Sequence, residues 1–325
     1  MISSLEHCMN LDPICRDRRL ETSEIHSVNG FYGHAEILKA YAGLPGDYPL
    51  KAMIMHAPGW EHHIWDVERN SPLPFFLCSS EKYAQYFNEH NGSGKTAVPI
   101  GPMISYLEQA KRRLPGKREK TMVFFPLHST HHIHAASNPD DVLRRLESVR
   151  MKFDRCLVCI YWKDYLLGRH ERFIEEGYTC VSAGHIYDPL FLYRLRDIIL
   201  AADLVVSGRP GTEVIYAALL DRPVYIEAEE VKMVYAREEL REEHKAILNT
   251  FNPGRTYLPR LFSKPVSKLH PDQSGFVRNL VGADHLKSPN SLRDILLAAE
   301  IRYSSKMQAE PDRRILDGDR QCNIV

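Results

Sequence analysis

Residues 121–228 alternate short apolar runs with amphipathic segments, and this alternation restricts the possible folds more than any other feature of the chain. The apolar runs have the length and composition of buried strands and cover 121–127, 155–162, 178–184, 204–208 and 222–228. The segments between them have helical spacing and cover 140–153, 164–177, 189–203 and 211–221. Strands that alternate with helices predict a parallel sheet made of right-handed crossover units. Because the strands are apolar almost throughout, we expect helices on both faces, as in a doubly wound α/β domain.

The first 110 residues predict a second, smaller α/β domain. Apolar runs at 52–57, 72–80 and 95–102 have the pattern of strands, and 33–45 and 81–91 have helical periodicity. The stretch EQAKRRLPGKREK at 108–120 carries eight charges around a Pro-Gly pair, which is typical of a linker. We therefore expect an N-terminal domain over 1–115, a C-terminal domain over 116–300 and a polar, frayed tail over 301–325.

Composition and charge exclude several classes of protein. The 42 basic residues balance the 42 acidic ones, so no net field favours binding to nucleic acid. The N-terminus lacks the basic start and apolar core of a signal peptide, and no apolar stretch reaches the length of a membrane span. The seven cysteines are scattered, and the pair Cys156 and Cys159 lies within one predicted strand, which favours buried thiols over a zinc or redox pair. A reducing, cytoplasmic location is the expectation.

Polar residues and glycines follow three of the predicted strands, at the edge where a doubly wound sheet binds its ligands. The candidates are Ser129, Thr130 and His131 after the first strand, His185 and Tyr187 after the third, and Ser207, Gly208, Gly211 and Thr212 after the fourth. Hydroxyls, glycines and a helix N-terminus together favour a phosphate group, because backbone N–H groups and the helix dipole attract an anion. The loop SGRPGT has neither Walker spacing nor GxGxxG, and the alternative interpretation is a tight turn that binds nothing.

The segment LVVSGRPGTEVIYAALLDRPVYI resembles the donor-binding segment of GT-B glycosyltransferases, in which a Ser/Gly loop leads into a helix that begins with Gly-Thr. The segments NGFYGHAEI, HAPGW, VPIGP and VFFPLHST resemble bacterial surface-polysaccharide and capsule enzymes with the same two-domain layout. The resemblance implies a GT-B-like α/β fold with two Rossmann-like doubly wound domains facing a cleft. The first domain would bind the acceptor, and the second would bind a UDP-, GDP- or CMP-linked sugar.

One departure from the GT-B pattern concerns the glutamate that holds the donor ribose in many of these enzymes. Tyr216 stands in its place, and Glu213 lies one turn earlier as a candidate substitute. If Glu213 does not take this role, the nucleotide is held differently, so the identity of the nucleotide stays open.

Sugar transfer with inversion needs a histidine or a carboxylate that removes the proton of the acceptor hydroxyl. The candidates in the first domain are His34 and Glu36 in NGFYGHAEI, and His56 and Asp66 in and after HAPGW. His34 is favoured because glycines on both sides are typical of a loop that lies against substrate, whereas His56 could anchor the Pro-Gly turn. Both histidines could instead be ordinary residues of a helix start and a strand end.

Sixteen histidines, four of them in HSTHHIH at 128–134, raise the question of a zinc site. No HExxH pattern or HxH-plus-Asp frame accompanies them, so the sequence predicts no metal and no cofactor. The expected activity is metal-independent transfer of a sugar by direct displacement onto a glycan or lipid-linked acceptor.

Two alternatives to glycosyl transfer stay open on the same residues. The chain could be a nucleotide-sugar 2-epimerase of the same fold, or a non-catalytic protein that binds a nucleotide sugar or a glycan. The basic linker also leaves open a peripheral contact with the inner face of the membrane, next to the plainer interpretation of a solvated linker.

Overall fold

The computed structural model describes residues 5–58, 63–92, 94–107, 119–130, 133–136, 138–228, 232–239, 241–242, 245 and 252–309. The strands, numbered along the chain, are β1 Ala52–Ile54, β2 Phe75–Cys78, β3 Thr96–Pro99, β4 Thr121–Phe125, β5 Ile133–Ala136, β6 Arg155–Cys159, β7 Thr179–Val181, β8 Leu204–Ser207, β9 Val224–Ile226 and β10 Lys232–Tyr235. The α-helices are α1 Glu6–Met9, α2 Leu11–Cys15, α3 His34–Ala42, α4 Asp66–Asn70, α5 Glu81–His90, α6 Pro139–Arg150, α7 Trp162–Leu166, α8 Glu171–Glu175, α9 Phe191–Ala201, α10 Thr212–Leu219, α11 Pro253–Leu261, α12 Pro271–Leu280 and α13 Pro289–Ala309. Short 3-10 helices lie at Ser27–Gly33, Met103–Tyr106 and Ala283–His285.

Two compact units make up the chain, and each combines two separate segments. The larger unit comprises Met1–Arg19 and Leu107–Leu280, and the smaller unit comprises Leu20–Tyr106 and Val281–Val325. The boundary expected near residue 115 falls at Tyr106 instead. Residues 1–19 were expected in the N-terminal domain but belong to the larger unit. Residues 281–300 were expected in the C-terminal domain but belong to the smaller unit. Packing explains this: Cys15 is buried with Trp162 in the larger unit, and α13 packs on α3 and β1 in the smaller one.

The larger unit contains the predicted doubly wound sheet. Its five strands are all parallel and lie in the order β7-β6-β4-β8-β9. Every residue of β4 and β8 is buried, as their continuous apolar sequences predict for a sheet covered on both faces. Phe124 and Val206 from these strands pack in one core with Leu146 of α6.

The smaller unit is a second α/β structure around the parallel sheet β1-β2-β3. The predicted helices at 33–45 and 81–91 correspond to α3 and α5. Ser80 caps α5 through its hydroxyl, which accepts a hydrogen bond from the Tyr83 N–H at 3.3 Å, and Gly43 ends α3 in the left-handed conformation. The α/β class with parallel sheets, predicted for both halves, is confirmed.

Three sequence predictions about individual elements are wrong. The single helix expected over 164–177 is two short helices, α7 and α8, because Gly168 between them adopts a left-handed φ of +73°. Residues 133–136 were expected in a loop but form β5, which pairs antiparallel with β10. The tail expected from 301 is helical to Ala309 in α13, and residues 310–325 lie outside the described part of the chain.

A buried polar network supports the segment that leads into α3. Glu24 forms an ion pair with Lys39 at 2.9 Å, and their side chains are only 1% and 3% exposed. The other carboxylate oxygen of Glu24 accepts hydrogen bonds from the Leu50 N–H at 3.0 Å and from the Asn29 amide at 3.4 Å. Asn29 in turn donates to the Ala52 carbonyl and accepts from the Ile54 N–H, at the two ends of β1. Glu24 thus fixes this segment against the first strand.

Replacing Glu24 tests this role. We expect Glu24→Ala to lower the free energy of unfolding by about 3–5 kcal/mol, because it leaves the Lys39 ammonium buried without its counter-ion. Chemical denaturation measures the change, and Glu21→Ala, which removes an exposed carboxylate three residues earlier, serves as the control. Adding Lys39→Met should recover part of the loss, and a loss below about 1 kcal/mol for Glu24→Ala would contradict the assignment.

Candidate functional site

The carboxyl edge of the five-stranded sheet brings together two of the segments expected to bind a ligand. The chain builds outward from β4 to β6 and β7 on one side, and then to β8 and β9 on the other. The switch point of this doubly wound sheet therefore lies between β4 and β8, which is where such sheets bind ligands. The loops that follow these two strands contain 126–130 and 208–211. Gly208 donates a backbone hydrogen bond to Phe125 at 3.1 Å, which joins the ends of the two strands.

The loop after β8 leads directly into α10. Ser207 ends the strand and is 1% exposed, and its hydroxyl lies 2.7 Å from the carbonyl oxygen of Arg209 and 2.5 Å from Oε1 of Glu213. Gly211 precedes the first turn of α10, and Thr212 and Glu213 belong to that turn and are half-buried. The structure thus brings the predicted residues of this loop together at a helix N-terminus.

The carboxylate of Glu213 occupies the space beside Gly211. A Cβ atom added to Gly211 would lie 2.7 Å from Cδ of Glu213, so a larger residue at this position would have to move the Glu213 carboxyl group. Burial raises the pKa of Glu213, while hydrogen bonds from the Ser207 hydroxyl and from its own backbone N–H, together with the charge of Arg209, act in the opposite direction. A carboxyl group of the chain itself therefore lies at the N-terminus of α10, a position that favours anions.

The loop after β4 is fixed by an ion pair between Asp164 and Arg169. Asp164 accepts a hydrogen bond from the Ser129 N–H at 2.9 Å and pairs with Arg169 at 2.7 Å. Arg169 also donates to the Ser129 hydroxyl at 3.0 Å and to the carbonyl of Ala135 in β5. Ser129 is completely buried, and its hydroxyl also accepts from the Ala135 N–H. These bonds hold the Ser129 hydroxyl inside the protein, so its role is to support the loop and not to contact a nucleotide sugar.

The other polar residues that follow β4 are His128, Thr130 and His131. Thr130 closes a turn by exchanging hydrogen bonds with Ile133, and His131 lies outside the described residues. His128 contacts the ring of Tyr161 at 4.4 Å, and burial together with the nearby charge of Arg209 lowers its pKa to about 4. His128 is therefore neutral at physiological pH.

His185 and Tyr187 follow β7, in a corner covered by the N-terminal segment of the larger unit. The His185 ring is completely buried, 4.0 Å from the ring of Trp162 and 4.8 Å from that of Tyr187. Its backbone N–H donates to Ile14, and its Nε2 lies 3.6 Å from Asp17. These contacts give His185 a packing role in this corner.

In the smaller unit, histidines gather near the carboxyl end of β1. His34 is the first residue of α3 and 1% exposed, and burial with repulsion from His56 lowers its pKa to about 3. His26 is 4% exposed, and the same two causes, with Lys95, lower its pKa to about 4. Tyr32, two residues before His34, adopts a left-handed φ of 58°, which is uncommon for an aromatic residue and frequent at functional sites.

Two of these histidines were predicted and one was missed. The structure brings His34 and His56 close enough to interact and adds His26, which no pattern in the sequence distinguishes from other polar residues. Glu36 and Asp66, the two other candidates for the base, are exposed in the first turns of α3 and α4.

The described ranges contain neither a cluster of metal-binding side chains nor a helix that could cross a membrane. No group of three or more His, Cys, Asp or Glu side chains in those ranges is arranged to hold a metal ion. Cys156 and Cys159 lie on the single strand β6 as predicted, and both are free thiols. Within the same ranges, no helix combines the length and apolar character that a membrane crossing requires.

Comparison with known proteins gives similarity to solved structures alone. No protein-family model matches the chain, and no curated protein sequence matches it. Similar structures include the wall teichoic acid polymerase TagF, with 10% identity and a TM-score of 0.35 over 75% of this chain and 60% of that one. Others are UDP-GlcNAc 2-epimerase from Neisseria meningitidis bound to UDP-GlcNAc (9% identity, TM-score 0.35, 73% and 65%) and glycosyltransferase SsfS6 from Streptomyces sp. SF2575 complexed with thymidine diphosphate (12%, 0.31, 90% and 83%). The chain thus spans under two thirds of TagF and of the epimerase, and TM-scores of this size do not transfer a function.

The buried histidines predict how stability depends on pH. An unfolded histidine titrates near pH 6.5, whereas the pKa of His34 is about 3 and those of His26 and His128 are about 4. The unfolded chain therefore binds more protons below pH 6.5, and stability is lost as the pH falls from 6.5 towards 4. We expect His34→Gln to flatten this dependence by about 3 kcal/mol between pH 7.5 and 4.5.

Urea denaturation at several pH values measures this effect. His90→Gln, which alters an exposed histidine of α5, serves as the control and should leave the pH dependence unchanged. Parallel stability curves for the wild type and His34→Gln would show that His34 is not held neutral by the fold.

Proposed function

We propose that this chain is a glycosyltransferase that moves a sugar from a nucleotide-sugar donor to a glycan or lipid-linked acceptor. The larger unit would bind the donor, and the smaller unit would carry the acceptor and the base. One observation carries the proposal: at the switch point of the sheet, the Glu213 carboxylate lies against the N-terminus of α10. An N-terminus that accommodates a carboxylate has the donors and dipole that a phosphate group requires.

The chemistry of the loop fits a leaving nucleotide phosphate. The exposed guanidinium of Arg209 lies in the loop, and the first turn of α10 offers backbone N–H groups and the hydroxyl of Thr212. These groups would stabilise the negative charge that develops as the bond between sugar and phosphate breaks. A cation from Arg209 is compatible with direct displacement without a metal ion. The resemblance of 202–226 to GT-B donor segments supports a nucleotide sugar over other phosphate ligands.

In the smaller unit, the difference in burial makes His56 a better candidate for the general base than His34. A general base works best when its pKa lies near the working pH, and a pKa of about 3 makes His34 a weak proton acceptor. His56 follows β1 and is only partly buried, so an acceptor hydroxyl can reach it more easily. Glu36 and Asp66 remain as exposed carboxylate candidates.

The cellular setting of the reaction is part of the same proposal. We place the reaction in the cytoplasm, in the assembly of a surface polysaccharide, with peripheral contact to the membrane through the basic stretch 108–120. The sequence resemblance to capsule enzymes supports this setting. An epimerase or a binding protein would use the same nucleotide site, so the tests must separate the three.

Binding and turnover of nucleotide sugars test the donor site. We expect binding of one of the nucleotides UDP, GDP or CMP, and Thr212→Val should weaken it about tenfold, the effect of losing one hydrogen bond to a charged group. Isothermal titration calorimetry measures the affinity, and Thr179→Val in β7 is the matched control. A folded Thr212→Val protein with unchanged affinity would contradict the assignment of this loop.

Incubation with the nucleotide sugar separates the three activities. A transferase turns over only when an acceptor is present, an epimerase converts the donor alone, and a binding protein leaves both unchanged. Conversion without acceptor would replace the proposed transfer with epimerisation.

Replacement of the histidines tests the base. We expect His56→Asn to lower kcat by about 10²–10⁴-fold, the usual effect of losing a general base, while donor affinity is unchanged. His34→Asn should change KM or stability instead, because this imidazole is buried and neutral. If both variants keep near-normal kcat, Glu36 and Asp66 become the candidates, and near-normal kcat in all four variants would refute the mechanism.

A further inference from the structure

We infer that the carboxylate of Glu213 competes with the donor phosphate for the N-terminus of α10. The phosphate must displace this carboxylate in order to bind. This inference rests on the proposed function, because it concerns the site assigned there to the nucleotide phosphate. It gives Glu213 a role different from that of a ribose contact, the role that the resemblance to GT-B enzymes suggested.

The contacts of Glu213 place its carboxylate in the position that a ligand would need. Oε1 lies 2.5 Å from the Ser207 hydroxyl, and the carboxylate also accepts from the residue's own backbone N–H. A Cβ atom at Gly211 would lie 2.7 Å from Cδ of Glu213, so the carboxyl group lies directly beside the backbone that leads into α10. A phosphate cannot reach these donors while the carboxylate remains bound to them.

The hydroxyl of Ser207 links this contact to protonation. It has one proton but lies within hydrogen-bond distance of two acceptors, Glu213 and the carbonyl of Arg209. When Glu213 is ionised, the hydroxyl can satisfy only one of them. When Glu213 is protonated, it donates to the hydroxyl, which then donates to Arg209, and both bonds are made. Protonation of Glu213 therefore changes which hydrogen bonds the Ser207 hydroxyl makes.

The charges around Glu213 agree with a carboxylate that is held weakly. Burial is the main influence on Glu213 and raises its pKa, since an ionised carboxylate is poorly solvated there. Arg209 in the same loop supplies the opposing positive charge. Cys159 at the end of β6 also faces the group, and burial raises the pKa of this thiol, so it stays neutral. A ligand that displaces Glu213 returns a poorly solvated charge to water.

The sign of the pH dependence follows from this exchange. Above its raised pKa Glu213 is ionised and competes with the incoming phosphate, and below that pKa it is neutral and competes less. Affinity for a phosphate ligand should therefore fall as the pH rises, more steeply in the wild type than in a protein without this carboxylate.

The test compares phosphate affinity in Glu213→Ala, Glu213→Gln and the wild type. The probes are UDP, GDP, CMP and inorganic pyrophosphate, titrated by calorimetry into the full-length protein at pH 6 and pH 8. At pH 8 we expect Glu213→Ala to bind the preferred probe about tenfold more tightly than the wild type, and Glu213→Gln about threefold more tightly. The difference between Glu213→Ala and the wild type should be smaller at pH 6 than at pH 8, and the slope that remains in Glu213→Ala reports the titration of the ligand itself.

A matched variant controls for the loss of charge. Glu171→Ala removes an exposed acidic residue from the first turn of α8 in the same unit and should leave every affinity unchanged. We expect the variants to fold, because one first-turn carboxylate contributes only modestly to helix stability, and circular dichroism checks this.

Each outcome has a distinct meaning. Tighter binding by Glu213→Ala, including binding that the wild type lacks, supports competition. Weaker binding by Glu213→Ala would show that Glu213 contacts the ligand directly, and equal binding at both pH values would show that its carboxylate does not compete; either result overturns the inference and leaves the proposed function intact. Absence of binding in every protein would refute the proposed function and this inference with it.

Discussion

The ion pair of Asp164 with Arg169 is the interaction on which the carboxyl edge of the larger sheet depends. It joins three connections that the sheet topology alone leaves independent: the loop after β4, strand β5 and the turn between α7 and α8. Asp164 is almost fully buried, and a buried carboxylate is stable only when charge and hydrogen bonds compensate it. Arg169 and the Ser129 N–H supply both, so the position of His128 follows from a network several residues away.

In the smaller unit, Glu24 has the role that Asp164 has in the larger unit: it is a buried carboxylate that accepts backbone hydrogen bonds. Loops at the edge of a parallel sheet expose backbone groups that no neighbouring strand can satisfy. In both units a buried carboxylate takes up these groups and is itself neutralised by a cation from a following helix or turn. The two pairs fix the entry to α3 and the loop after β4, so the predicted site residues in each unit rest on a rigid support.

Most of the framework was predictable because it follows from local periodicity. The strands of the larger sheet, and helices such as α6 and α9, are marked by apolar runs and by helical spacing, and their parallel arrangement follows from the alternation itself. The break at Gly168 was missed because helical spacing continues across it, although an internal glycine is a position at which a helix can end. Strand β5 was missed because its partner β10 lies about 100 residues later. The interleaving of the two units also depends on distant packing, which no single-sequence pattern contains.

At the edge of the larger sheet, the sequence predicted that the segments after β4 and β8 come together, but it did not predict the charge of their side chains. Hydroxyls, glycines and histidines after the strands suggested phosphate contacts by imidazole, yet burial lowers the pKa of His128 to about 4 and so removes its positive charge. Burial also raises the pKa of Glu213, so the low polarity of its surroundings disfavours its charged form as it does that of His128. A phosphate at this edge would then depend on backbone N–H groups and on the exposed Arg209. Burial decides this division of roles, and burial is a property of the folded structure that residue spacing cannot express.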